Sequence, residues 1–141
     1  MEIRTLNLLS PIYYFPVTEP DPFDPRENGP GGEKLYCFEL DENDRKSFEP
    51  DKSKFFDRLV FGGDAAGEPP KKNGETLLKL PKGNYLFAQK REIMHRDDII
   101  AMAVEIQLEG LWQRLELGEK LYLRYLYEYS SGVTQLFRPY E

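Results

Sequence analysis

The residues of this 141-residue chain best suited to chemistry lie late in the sequence, in the run Leu123-Arg124-Tyr125-Leu126-Tyr127-Glu128-Tyr129. Alternate residues of a strand share a face, which puts Arg124 and Glu128 on one side about 13 Å apart. They cannot pair with each other at that distance, so each needs a partner across the sheet, water or a ligand. A carboxylate among rings is costly to bury unless it is hydrogen-bonded or charge-paired. Glu128, Arg124 and Tyr127 therefore suggest a site for a hydrophobic or cationic small molecule, with aromatic rings attracting the cation. A raised pKa would make the same carboxylate a general base, and the chain a small hydrolase.

Other reactive side chains carry less. His95 is the single histidine, so neither an HExxH site nor a histidine-rich metal cluster can be built. Asp97 and Asp98 after it fit the first turn of a helix, where acidic groups meet the positive end of the macrodipole. The serines lack a GxSxG context, and neither GxxxxGK[ST] nor GxGxxG occurs, so no nucleotide cofactor is expected. Asp41-Glu42-Asn43-Asp44 lacks the ligand spacing of a calcium loop and reads as a solvated turn. Cys37, the only cysteine, sits in an apolar run and reads as a buried thiol. These readings assign no catalytic residue and no metal ligand.

Twenty-five acidic against 19 basic residues leave a formal charge of −6, which phosphate backbones repel, and no dense Lys/Arg cluster reverses it. Nucleic acid is therefore not an expected partner. No window holds the roughly 18 apolar residues of a membrane helix. The start shows no basic leader followed by an apolar stretch, so a cytoplasmic domain without disulfides is expected.

Positioning these residues requires a scaffold, and residues 1–141 read as one domain. Residues 3–17 suggest two extended pieces divided by Pro11. Long Pro/Gly-rich loops are expected at about 18–33 and 62–74, around a strand at 34–40 and a helix at about 51–60 capped by Asp51. Pro81-Lys82-Gly83 predicts a hairpin between strands at 75–80 and 84–91. On its second strand Tyr85, Phe87 and Gln89 share a face, and Tyr85 and Phe87 are candidates for the wall opposite Glu128. Two apolar stripes predict a helix at 97–116, ended by Gly118. Trp112 on that helix reads as core packing, or as a contact to a ligand, a protein partner or a second copy in a homodimer. Strands at 120–129 and 133–138, turned back at Ser130-Ser131-Gly132 into a terminal hairpin, complete the chain. The expected class is α+β, an antiparallel sheet with two helices packed on one side.

Several phrases in residues 75–141 resemble the gyrase-inhibitor-like family of small-molecule-binding domains, also found as effector-binding modules of transcription regulators. Leu80-Pro81-Lys82-Gly83-Asn84-Tyr85 is similar to the family's Pro-x-Gly-x-Tyr turn. The helix bearing Leu111 and Trp112 looks like its second long helix. Glu128 in Tyr127-Glu128-Tyr129 resembles its late-strand pocket glutamate, and Phe137-Arg138-Pro139 its closing strand. The resemblance implies a duplicated β-α-β-β arrangement with a cleft between its halves. It also implies hydrophobic or cationic ligands, and hydrolase activity in some members. The rival reading is a protein-interaction module acting through an exposed apolar surface.

Overall fold

The computed structural model describes residues 2–16, 33–42, 45, 59–65, 78–128 and 131–141. Its strands are β1 (Ile3–Leu8), β2 (Ile12–Pro16), β3 (Glu33–Glu39), β4 (Leu59–Ala65), β5 (Leu78–Leu80), β6 (Gly83–Lys90), β7 (Lys120–Glu128) and β8 (Ser131–Tyr140). One helix, α1 (Arg96–Trp112), lies between β6 and β7. All pairings are antiparallel, in the order β1-β6-β8-β7-β3-β4-β2-β5.

That order conceals a ring. Only residues 9–11 separate β1 from β2, and only residues 81–82 separate β5 from β6. β1 pairs with β6 as far as Leu8↔Gly83, and β2 pairs with β5 from Ile12↔Leu80. The two ladders are one ladder, bent at Pro11 and Pro81 and offset by a residue. The eight segments thus reduce to six continuous strands, each paired on both sides, in a closed barrel. Gly83, at φ 144°, supplies the backbone conformation that the offset needs.

The barrel explains the two-faced strands. Tyr14, Leu35, Cys37, Leu80, Tyr85, Tyr122 and Phe137 form one buried cluster in the interior, ringed by Leu6, Leu8, Ile12 and Phe87. The alternate residues Tyr36, Phe38, Leu86, Ala88, Leu121, Leu123, Tyr125 and Leu136 face outward, and α1 covers them with Ile99, Ile100, Met102, Ala103 and Ile106. Each fully buried aliphatic side chain there stabilises the fold by about 1.5–3 kcal/mol. Arg138 is buried beneath the helix, donating from Nε to Gly118 O at 2.9 Å. Thr134 fixes the β6–α1 connection by accepting from Met94 N at 3.0 Å and donating to Glu92 O at 2.7 Å.

Several expectations are corrected. The second helix, at about 51–60, is not found: residues 59 and 60 open β4, while 51–58 lie outside the described residues. Leu59-Val60-Phe61 suits a pleated strand, and Gly63 after it serves a close approach to β2. With α1 the one helix whose span is described, two helices packed on one side of the sheet and a duplicated β-α-β-β arrangement are not seen among the described residues. The loop placed at 62–74 begins as strand through Ala65, and its remaining residues lie outside the description, as do 18–32 of the first loop. Pro81-Lys82-Gly83 bends one long strand instead of reversing it, so no hairpin forms there. The expected terminal hairpin does form, as β7–β8.

α1 also ends early. Arg114 takes a left-handed φ of 58°, Leu115 N donates to Gly110 O at 2.9 Å and Arg114 N to Leu111 O at 3.1 Å. This is a Schellman cap with arginine where glycine is usual. No described helix is long and apolar enough to cross a membrane.

Two substitutions test these features by urea denaturation. Arg114→Gly relieves the left-handed strain, offset in part by the freer unfolded chain, and is expected to stabilise by about 0.5–1 kcal/mol. A Cβ at Gly63 would stand 2.6 Å from Phe15 O and 2.9 Å from Tyr14 Cβ, across the β2–β4 seam. Gly63→Ala is expected to destabilise by about 1–3 kcal/mol.

Candidate functional site

The interior changes character along its axis. On β6 the inward series runs Tyr85, Phe87, Gln89; on β8 it runs Phe137, Gln135; on β7 it runs Tyr122, Arg124. Gln135 stands opposite both Gln89 and Arg124, so the polar residues of three adjacent strands fall in one belt. Arg124 in turn stands opposite Leu35 on β3, two residues from Glu33 on the same face. Tyr14 enters from β2, past β4, where Gly63 carries no side chain to obstruct it.

Glu33 joins these groups. The Tyr14 hydroxyl donates to Glu33 Oε1 at 2.5 Å, and Arg124 Nε lies 2.8 Å from the same oxygen. The side chains of Arg124 and Glu33 keep 20% and 26% of their surface exposed, which places the belt at the mouth. Although the charges touch, the Arg124 Nε–H is not aligned on the carboxylate and has no hydrogen-bond acceptor among the described residues. Gln135 Nε2 donates to Gln89 Oε1 at 3.0 Å, which leaves Gln135 Oε1 buried with no donor. Burial, and then the bond to Glu33, raise the Tyr14 pKa well above the ordinary phenol value, against an opposing pull from Arg124.

Below the belt the lumen is aromatic. Phe87 and Phe137 lie 5.0 Å apart, while Tyr85 sits edge-on to Phe137 at 5.7 Å and to Tyr122 at 6.3 Å. The Tyr85 hydroxyl donates to Pro81 O. Burial pushes the Cys37 thiol up to about 11 and the Tyr85 phenol up to about 12. Burial and the neighbouring Cys37 raise Tyr122 as well. A neutral thiol under packed rings is a poor nucleophile. No group of three His, Cys, Asp or Glu side chains among the described residues could hold a metal ion.

The barrel gathers Arg124, Tyr85 and Phe87 on its inner face. Trp112 is not with them: it ends α1 on the outer side of the sheet with 86% of its surface exposed, so it is not core either. Glu128 and Tyr127 close β7 opposite Ser131 and Gly132, but their side chains lie outside the description. The carboxylate that does meet Arg124 is Glu33, at the edge of the loop expected at about 18–33. The available signal was the repeated step from ring to polar residue on β6, β7 and β8, but only the register aligns those steps.

The raised thiol and phenol make the fold sensitive to alkali. These groups stay neutral in the barrel after they have ionised in the unfolded chain, so stability present at lower pH is lost as pH rises. The urea midpoint is expected to hold to about pH 9.0, where an unperturbed thiol ionises, and to fall from there to about 12. Cys37→Ala is expected to delay the onset of that fall toward pH 10.0, the ordinary tyrosine value. No protein-family model matches the chain, and no curated protein matches it either.

Proposed function

We propose that the chain is a stand-alone small-molecule-binding or accessory domain whose ligand enters the mouth of the barrel. One observation carries the reading: Glu33, Tyr14 and Arg124, from three strands, meet at the partly exposed end of an otherwise aromatic lumen. Such a site offers rings for an apolar group and a few fixed polar atoms for orientation. A barrel of this strand number is narrow enough for side chains to fill, so the ligand binds at the rim and not deep inside. Hydrophobic ligands fit this mouth directly. A cationic ligand would depend on Glu128, because Arg124 already faces Glu33. The proposal includes a cytoplasmic setting, supported by the single buried thiol Cys37.

A protein-interaction or homodimer role is favoured by a different observation. Leu108, Leu111 and Trp112 are 44%, 52% and 86% exposed on the outer face of α1. Grouped apolar exposure of this kind marks contact surfaces.

Native mass spectrometry of the purified chain, followed by thermal melting with any ligand found, tests the primary reading. A retained small molecule is expected, with stabilisation of about 2.7 kcal/mol at a hundredfold excess over Kd. The double variant Glu33→Gln/Arg124→Gln removes both charges together and is expected to lose at least about tenfold in affinity. If no ligand is retained and Trp112 fluorescence shifts to the blue with protein concentration, the α1 surface replaces the mouth as the working site.

A further inference from the structure

Taking the mouth as a small-molecule site, we infer that it selects a neutral, planar group with a hydrogen-bond acceptor beside a donor, the edge of an amide or lactam. The inference rests on the reading above and concerns the class of ligand.

Charge is the first reason. Arg124 and Glu33 cancel within 2.8 Å, so the couple presents no net charge. An anion approaching Arg124 meets Glu33, and a cation approaching Glu33 meets Arg124. Either ligand ion would give up hydration for one favourable and one unfavourable contact. A neutral dipole avoids both losses.

The unfilled hydrogen-bonding positions are the second reason. Arg124 Nε–H is a buried donor without an aligned acceptor, and Gln135 Oε1 is a buried acceptor without a donor. Arg124 and Gln135 are directly opposed on β7 and β8. Opposed residues have Cβ atoms about 4.5–5.5 Å apart, close enough for one small group to address both side chains. The complement of a donor beside an acceptor is a carbonyl beside an N–H. Sites built to bond a polar substituent discriminate strongly against analogues that lack it, because the buried partners would be left unpaired.

The third reason is shape. Phe87, only half-buried, and Phe137 stand next to Gln89 and Gln135 along the same inward rows. A flat ligand can lie against these rings and turn its polar edge toward Arg124 and Gln135. The committed groups fit this division: Glu33 Oε1 is occupied by Tyr14, and Gln135 Nε2 by Gln89.

The test compares benzamide, benzoate and benzylammonium, which share one ring and differ only in charge and edge chemistry. The full chain is titrated with each by proton–nitrogen NMR at millimolar concentrations. Benzamide is expected to perturb the backbone amides of Arg124 and Gln135 and to bind at least about fivefold tighter than either ion, as one net hydrogen bond implies. Gln135→Met, which removes the acceptor at similar volume, is expected to erase that preference while leaving the melting temperature unchanged or higher. Tighter binding of benzoate or benzylammonium at the same amides overturns the ligand class but leaves the mouth as the site. Unchanged benzamide affinity in Gln135→Met also overturns the class. If none of the three probes perturbs the mouth of the folded chain, the binding reading falls together with the inference.

Discussion

Every feature of this structure depends on the continuity of one ladder. β1–β2 and β5–β6 stay hydrogen-bonded to each other through two proline bends, and that pairing joins what would be the two free edges of the sheet. Without it, the first two strands and their partners would present unpaired backbone groups on both sides, inviting association with other chains. With it, every long strand has two neighbours and the sheet must curve into a barrel. A six-stranded barrel has little room inside, so its lumen is filled with Tyr14, Tyr85, Tyr122, Phe137 and the small thiol of Cys37. Gly63 belongs to the same economy of space, since any side chain there would collide with β2.

Curvature also explains the helix. A closed sheet hides one face of each strand, but the outer face of β3, β6, β7 and β8 is apolar too and needs a cover. α1 supplies it with its Ile99, Met102 and Ile106 side, and its return to β7 is pinned by the buried guanidinium of Arg138 on Gly118 O. Burying an arginine is costly unless its donors are engaged, and here the engaged partner is the connection itself. On the opposite side of α1, Leu108, Leu111 and Trp112 remain exposed.

Polar groups inside a narrow barrel are tolerated only near its ends, where water can reach part of each side chain. Glu33, Arg124, Gln135 and Gln89 occupy that zone, and the tyrosine hydroxyls are handled in the same way. Tyr14 spends its proton on Glu33, while Tyr85 turns its hydroxyl to the backbone at Pro81. The result is an aromatic interior with a polar rim of zero net charge.

Much of the secondary structure was legible from the chain alone. The alternation from Leu121 to Tyr125 foretold β7, the split at Pro11 foretold β1 and β2, and the spacing of Ile99, Met102, Ala103 and Ile106 foretold the buried side of α1, because these signals depend on local periodicity. The early end of α1 was not legible, since an arginine rather than a glycine adopts the left-handed cap. Nor was β4, whose short Leu59-Val60-Phe61 run can serve a helix or a strand until neighbours choose. Barrel closure, the continuation of the strand through the bend at Pro81-Lys82-Gly83 and the meeting of Glu33 with Arg124 and Tyr14 were decided by tertiary structure. Each joins residues distant in sequence, and the inter-strand register that brings them together is set by the packing of the whole sheet, not by any one segment.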